Sequence, residues 1–318
     1  MNKLNKKIAI TTGDVNGIGA EITIKALNRL NVPKKNIVLI SNREVLKFYG
    51  CNNDYEIIEI DFVKKNILPG KITAESGEFS FQSLKKACEM AKNGKIDAIV
   101  TAPVSKEALH LAGHKFNGQT EILQEFLAHD GQRAEMLFVA NDFRVLLLTR
   151  HVPLKDVSLD KDKIVEQITN LDKFFRANLG INMPKFALCA FNPHAGEGGI
   201  LGREEIEILQ PAVDELRLKG INITNPLPAD TLFINAAKAY TTPHSSLLTP
   251  HYYDCYIACY HDQGLIPIKT VAGEKTVNMT IGLDVIRTSP CHGTAFDIAG
   301  KNQASENSMI EAIKQVLN

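Results

Sequence analysis

No C-x-x-C pair occurs among the six cysteines, which stand singly at Cys51, Cys88, Cys189, Cys255, Cys259 and Cys291. That excludes a zinc ribbon or a redox dithiol and fits buried thiols in a reducing compartment. Charge of one sign is missing too, since Lys+Arg 36 balances Asp+Glu 36. A protein that grips a phosphate backbone carries a basic domain or stripe, so nucleic acid is not an expected partner. A small anionic substrate needs only a few local cations and stays open. No window reaches the length of a membrane span, and the apolar run after the basic start "MNKLNKKIAI" is too short for a signal-peptide core. The expectation is a cytoplasmic protein with no membrane partner. Internal repeats and low-complexity linkers are also absent.

What is present reads as α/β. The 318 residues are long for one compact core and suggest two domains or one large unit. Short apolar runs recur: "IAIT" at 8–11, "IVLIS" at 37–41, "DAIVTA" at 97–102, "RVLLLT" at 144–149, "KFALCA" at 185–190 and "YIACY" at 256–260. Continuous runs of this length suit parallel strands buried on both faces. Between them lie stretches of helical period, such as 80–94 and 203–220, the second ending in Gly220 as a C-cap. Segment 241–254, "TTPHSSLLTPHYYD", has no clear period and reads as a surface loop or insertion.

In open α/β sheets ligands bind beyond the carboxyl ends of the strands. Polar and glycine residues gather there: "TGDVNGIG", "PVSK", "RHVP", "FNPHAGEGG" and "HDQG" each follow an apolar run. The first is neither G-x-G-x-x-G nor G-x-x-x-x-G-K-[ST], because its glycines are Gly13, Gly17 and Gly19. Three of the loops carry a histidine: His151, His194 and His261. Three imidazoles at one edge suit a divalent metal with positions open for substrate. The plainer reading is three separate polar loop residues. Asp262 and Asp230 suit proton acceptors or partners to a ligating imidazole, or else turn and cap duty. His110, His114, His129, His244 and His251 have no evident partner and read as surface residues.

Taken together, "GDVNGIGAE", "TAPVSKEAL", "GQTEILQEFL", "NPHAGEGG", "PLPADTLF", "YHDQGLIPIK" and "VNMTIGLDVIRTSPCHGTAFDIAG" resemble the 4-hydroxythreonine-4-phosphate dehydrogenase family of vitamin B6 biosynthesis. They span nearly the whole chain in the family's order. The resemblance implies His151, His194 and His261 as ligands of a divalent metal (Zn, Mg, Mn or Co). It implies Gln119, Thr120, Lys269, Asn278 and Arg287 as contacts of a phosphorylated substrate, and Asp230, Asp262 and Lys269 as the groups from which a proton acceptor is drawn. The tail "CHGTAFDIAGK" looks like the adenine-side NAD loop of isopropylmalate and isocitrate dehydrogenases, and "GDVNGIGAE" like their amino-terminal "GDGIGPE" with two residues inserted. That implies an isopropylmalate-dehydrogenase-like fold. Two α/β domains, 1–121 with 276–318 and 122–275, then flank a cleft with a non-Rossmann NAD site. Gly13, Asp14, His292, Gly293, Thr294 and Ala295 belong to that site.

The implied activity is NAD-dependent oxidation of 4-phosphooxy-L-threonine to a 3-oxo acid that loses carbon dioxide. The implied assembly is a homodimer with the metal site completed across the interface. Two departures stand out. The family usually has His before the Thr of "GHTE", and here it is Gln119; both prolines of the usual "GDPAGIGPE" are missing from "GDVNGIGAE". Two rivals remain: a dehydrogenase of another phosphorylated four-carbon hydroxy acid, favoured by Gln119, and a phosphate acyltransferase, whose two-domain shape is related.

Overall fold

The computed structural model describes residues 6–52, 54–241 and 253–317. Most of segment 241–254, with His244 and His251, lies outside them. The chain divides into two units, Met1–Ala134 with Val277–Asn318, and Glu135–Thr276.

The first unit opens with β1 (Ile8–Thr11), α1 (Gly19–Arg29), β2 (Ile37–Ser41), α2 (Arg43–Phe48), β3 (Glu56–Glu59), α3 (Ala74–Lys92), β4 (Ala98–Thr101), α4 (Lys106–Leu111) and α5 (Gln119–Leu127). The second holds β5 (Glu135–Ala140), β6 (Phe143–Leu147), α6 (Lys161–Asn178), β7 (Lys185–Leu188), α7 (Gln210–Leu218), β8 (Asn222–Ile223), α8 (Ala229–Thr241), β9 (Cys255–Ala258) and α9 (His261–Ala272). The chain then returns to the first unit with β10 (Val277–Ile281), β11 (Ile286–Pro290) and α10 (Asn307–Leu317).

In the first unit the strand order is β3-β2-β1-β4-β11-β10. The apolar runs form parallel neighbours, with Ile8 opposite both Ile37 and Ala98. Successive side chains of a strand point to opposite faces. Ile8, Ile10, Leu39 and Val100 therefore pack with α1 and α10 through Ile22, Ala26, Ile310 and Ile313. Ala9, Val38, Ile40 and Ile99 pack the other way, against Ala87 and Cys88 of α3 and Leu123 and Leu127 of α5. That double burial is why these strands are apolar throughout. It also places α5 wholly in the first unit, so the boundary falls after Ala134 and not at 121.

The second unit orders its strands β5-β6-β9-β7-β8. Two strand pairs run antiparallel, β5 with β6 and β10 with β11, which the parallel reading of the runs did not include. The β5–β6 hairpin turns on Asn141, whose φ is 51°. Asparagine tolerates that left-handed conformation, which tight hairpins demand. The helix expected over 80–94 starts six residues earlier, because the Thr73 hydroxyl accepts the Ser76 N–H at 3.1 Å and caps it. The stretch 203–220 contains a widened π-type turn over Glu205–Leu209 before α7. Pro211 has no N–H to give the Glu207 carbonyl, which accounts for the altered register. Gly220 follows the helix end with φ 80°, as expected. Among the described residues no helix is long and apolar enough to cross a membrane.

Candidate active site

In the second unit the chain after β6 is stitched to the chain after β9. Leu148 N–H donates to the Ala258 carbonyl at 2.9 Å, and the Thr149 hydroxyl donates to the Cys259 carbonyl at 2.7 Å. These bonds bring His151 and His261 side by side, with ring centroids 5.8 Å apart. Asp262 Oδ1 lies 2.6 Å from His261 Nδ1. A carboxylate there fixes the ring and leaves Nε2 as its free ligating atom. Both histidines line a cavity of about 400 Å³ together with Arg150, Tyr260 and Asp262. Lys269 stands two turns along α9 from His261, on the same face.

His194 sits on a different loop. Residues 194–198 all have φ between 44° and 74°, an unbroken left-handed run that includes the non-glycine residues His194, Ala195 and Glu197. Each such residue costs about 1–2 kcal/mol, so the surroundings must hold the loop in place. Glu205 does much of this. Its buried carboxylate accepts the N–H groups of Phe191 and Asn192 at 2.8 and 2.7 Å, and the Asn192 amide at 3.0 Å. A Cβ on Gly196 would meet Glu205 Oε2 at 2.7 Å, so the contact needs a glycine. His194 lines a second cavity of about 290 Å³ with Asn192, Asp230, Tyr260 and Gln263. Gln263 bridges two strand ends, accepting Cys259 N–H and donating to the Ala190 carbonyl, both at 2.7 Å.

The structure thus pairs two of the three expected ligands and sets His194 with Asp230 in the neighbouring cavity, Tyr260 lining both. Among the described residues no three His, Cys, Asp or Glu side chains converge on one point. Cys189, Cys255 and Cys259 are buried, and burial pushes the Cys255 thiol up to about 12, as inert thiols require.

In the first unit the glycine loop and the tail loop meet. Ile18 N–H donates to the Thr294 carbonyl at 3.0 Å, and Gly17 abuts Thr294. Gly13 has φ 67°, and a Cβ there would lie 2.2 Å from the Pro103 carbonyl oxygen, so no other residue fits. Asp14 is fully buried, accepting Asn16 N–H at 2.9 Å and the Ser76 hydroxyl at 3.2 Å. Burial raises its carboxyl to about 6. Gly293 has open space where a side chain would stand, and Ala295 holds φ 43°. His292 is exposed, its Nδ1 3.0 Å from the Gly293 carbonyl oxygen.

Arg287 on β11 is 2% exposed. It donates to the hydroxyls of Thr101 and Thr280 at 2.8 and 3.4 Å and has no carboxylate partner among the described residues. Burial lowers its guanidinium to about 10. The β10–β11 register sets Asn278, Thr280, Arg287 and Ser289 on one face, and Asn278 Oδ1 is buried without a partner. Thr120, buried, and Gln119 open α5 beside the end of β4. Gln119 differs from the expected donor: its amide N–H already serves the Ala102 carbonyl at 3.2 Å, leaving Oε1, an acceptor, unpartnered.

Three histidines read as partnerless have partners. His110 meets the Phe116 carbonyl at 3.1 Å, and His129 pairs with Asp284 at 3.2 Å. His114 pairs with Glu78 at 2.6 Å while stacking on Phe81 at 3.6 Å between centroids. Sequence reasoning also passed over Glu205, Gln263 and Arg150. The Pro211-containing helix start was the available signal for the first, and the arginine abutting a strand-end histidine for the last.

Strand-end loops, paired imidazoles and a buried arginine without an ion-pair partner among the described residues mark a two-unit α/β protein with the groups of an enzyme. The family model described as "Pyridoxal phosphate biosynthetic protein PdxA" matches residues 6–316, and the chain belongs to that family. It is 40% identical over 328 residues to a 4-hydroxythreonine-4-phosphate dehydrogenase of Sulfurihydrogenibium sp., covering 97% of this chain and 96% of the relative. It is 37% identical over 333 residues to a D-threonate 4-phosphate dehydrogenase of Cupriavidus necator, covering 97% and 95%. The crystal structure of 4-hydroxythreonine-4-phosphate dehydrogenase from Klebsiella pneumoniae superposes with a TM-score of 0.86 at 33% identity, covering 100% of this chain and 98% of that one. The chain is a dehydrogenase.

Proposed function

We propose that the chain oxidises the 3-hydroxyl of 4-phosphooxy-L-threonine with NAD, giving a 3-oxo acid that decarboxylates to 3-amino-2-oxopropyl phosphate on the route to pyridoxal phosphate. The observation that carries this reading is Arg287. Among the described residues the buried guanidinium is hydrogen-bonded by two threonine hydroxyls and by no carboxylate, with Glu121 acting on it only at longer range, and an anionic ligand group would lower the remaining cost of burial. Asn278 on the same face, with Thr120 and Lys269, completes the contacts proposed for the phosphate.

The donor set of the second unit fits a divalent ion. His261 is oriented by Asp262 and stands beside His151, and His194 of a homodimer partner or of the same chain is the proposed third ligand. Zn, Mg, Mn or Co held there would act as a Lewis acid on the hydroxyl oxygen of the carbon being oxidised. Asp230, Asp262 or Lys269 is the group proposed to take the hydroxyl proton, and NAD, when bound, would supply the hydride acceptor. The loop 292–295, open at Gly293 and braced by the 13–18 loop, fits the cofactor. A phosphate acyltransferase is set aside by membership in a dehydrogenase family. A second reading, D-threonate 4-phosphate as substrate, is favoured by Gln119, which presents a neutral acceptor where the family usually has histidine.

Arg287→Met tests the phosphate assignment. The Michaelis constant for 4-phosphooxy-L-threonine should rise about 100-fold, as expected for two lost charge-assisted bonds, with that for NAD within about twofold. Urea stability should hold or increase, because an uncompensated buried charge disappears. An unchanged substrate constant with reduced stability would make Arg287 a structural residue and remove the main support for the reading.

A further inference from the structure

Arg150 is not used by the function proposed above. It lies three residues past the end of β6 and lines the cavity that holds His151, Tyr260 and His261. Val152 N–H donates back to the Arg150 carbonyl at 2.8 Å, a tight turn that presents residues 150 and 151 together. The Thr149–Cys259 bond anchors the other side. Nη1 of Arg150 is buried and has no hydrogen-bond partner. No ion pair to its guanidinium exists among the described residues.

Every other arginine of the second unit is engaged. Arg144 pairs with Asp142 at 2.9 Å and Arg176 with Asp172 at 2.7 Å; Arg203 pairs with Glu207, and Arg217 donates to the Ile223 carbonyl at 2.9 Å. The acid nearest Arg150 in its cavity, Asp262, is committed to His261 at 2.6 Å. The cavity therefore offers a fixed guanidinium beside two imidazoles and no uncommitted carboxylate to neutralise it. A planar guanidinium matches a two-oxygen carboxylate, with two parallel charge-assisted bonds.

The substrate class proposed above carries two anionic ends, and Arg287 with its neighbours accounts for the phosphate alone. We propose that Arg150 binds the C1 carboxylate of the substrate beside the strand-end histidines and selects phosphorylated hydroxy acids over phosphorylated alcohols that lack that group. The proposal rests on the reading of the chain as a dehydrogenase of phosphorylated hydroxy acids. After decarboxylation the product has nothing for Arg150 to hold, so the same contact favours substrate over product.

The test compares 4-phosphooxy-L-threonine with its carboxylate-free counterpart, 3-amino-2-hydroxypropyl phosphate, by calorimetric binding and by NADH production. Wild type is expected to bind the acid at least tenfold more tightly. Arg150→Gln should weaken binding of the acid by about 10- to 100-fold and leave the counterpart within about twofold, with Arg150→Lys recovering part of the loss. A structural role would move both ligands equally. Equal wild-type affinity for the two ligands, or an equal effect of Arg150→Gln on both, overturns the proposal. The wild-type comparison stands even where a variant is unstable. Binding without turnover by wild type would defeat the proposed reaction while leaving the assignment of Arg150 to be judged on affinity alone.

Discussion

At Asp14 a carboxyl is held where water does not reach it, in contact with one backbone N–H and one hydroxyl. Its raised value of about 6 means that the folded chain keeps a proton that the unfolded chain, near 3.8, has already released. Between about pH 4 and 6 the native state therefore binds more protons, and stability falls as pH rises through that window. The full difference is on the order of 3 kcal/mol. Asp14→Asn keeps the shape and an acceptor for Asn16 N–H but cannot ionise. Urea denaturation across pH 4 to 7 should show the wild-type decline flattened in this variant. Parallel curves for the two proteins would mean that Asp14 stays ionised in the fold. The Gly13–Asp14 pair was legible as a candidate from its place after an apolar strand. Its burial was not, because that depends on Ser76 and Pro103, far along the chain.

Among the elements, the loop over 191–199 carries a run of left-handed residues, and it depends on a helix. The π-type turn before α7 delivers Glu205 under the loop, where one carboxylate holds three N–H donors. Removing it leaves the Phe191 and Asn192 backbone N–H groups unpaired at about 1–3 kcal/mol each, offset in part by water entry, while the Asn192 amide keeps Glu204 at 2.6 Å. Glu205→Ala is expected to lose about 2–4 kcal/mol in urea and to open residues 193–203 to limited proteolysis. Glu205→Gln, which retains one oxygen for the two backbone donors, should lose about half as much. A wild-type midpoint and digestion pattern for Glu205→Ala would show that the left-handed run is held by something else. "NPHAGEGG" announced a sharply bent loop through its glycines, and the apolar runs announced six strands of the sheets. Strands β10 and β11 went unread because they alternate with polar residues around a turn at Gly282 whose meaning depends on both flanking strands, whereas β5, "EMLFVA", is an apolar run that was passed over.

For the molecule as a whole, doubly buried parallel strands follow from composition, since a run such as "IVLIS" has no polar face to offer water. The discontinuous division into two units does not follow from periodicity, and its boundary at Ala134 reflects where α5 finds its apolar partners. The histidines were singled out by their positions after strands, and the structure brings His151 and His261 together while His194 faces its own cavity. The side chains proposed to select the substrate, Gln119, Arg150 and Arg287, could not be told from other polar residues by position alone, because their burial and partners become visible only in three dimensions. The most direct test of the account is to measure NADH and carbon dioxide released from 4-phosphooxy-L-threonine and from D-threonate 4-phosphate, before and after chelation and with Zn, Mg, Mn or Co restored. The account predicts one NADH per carbon dioxide from a phosphorylated four-carbon hydroxy acid, abolished by chelation and recovered with metal. No NADH from either acid under any metal condition would contradict it.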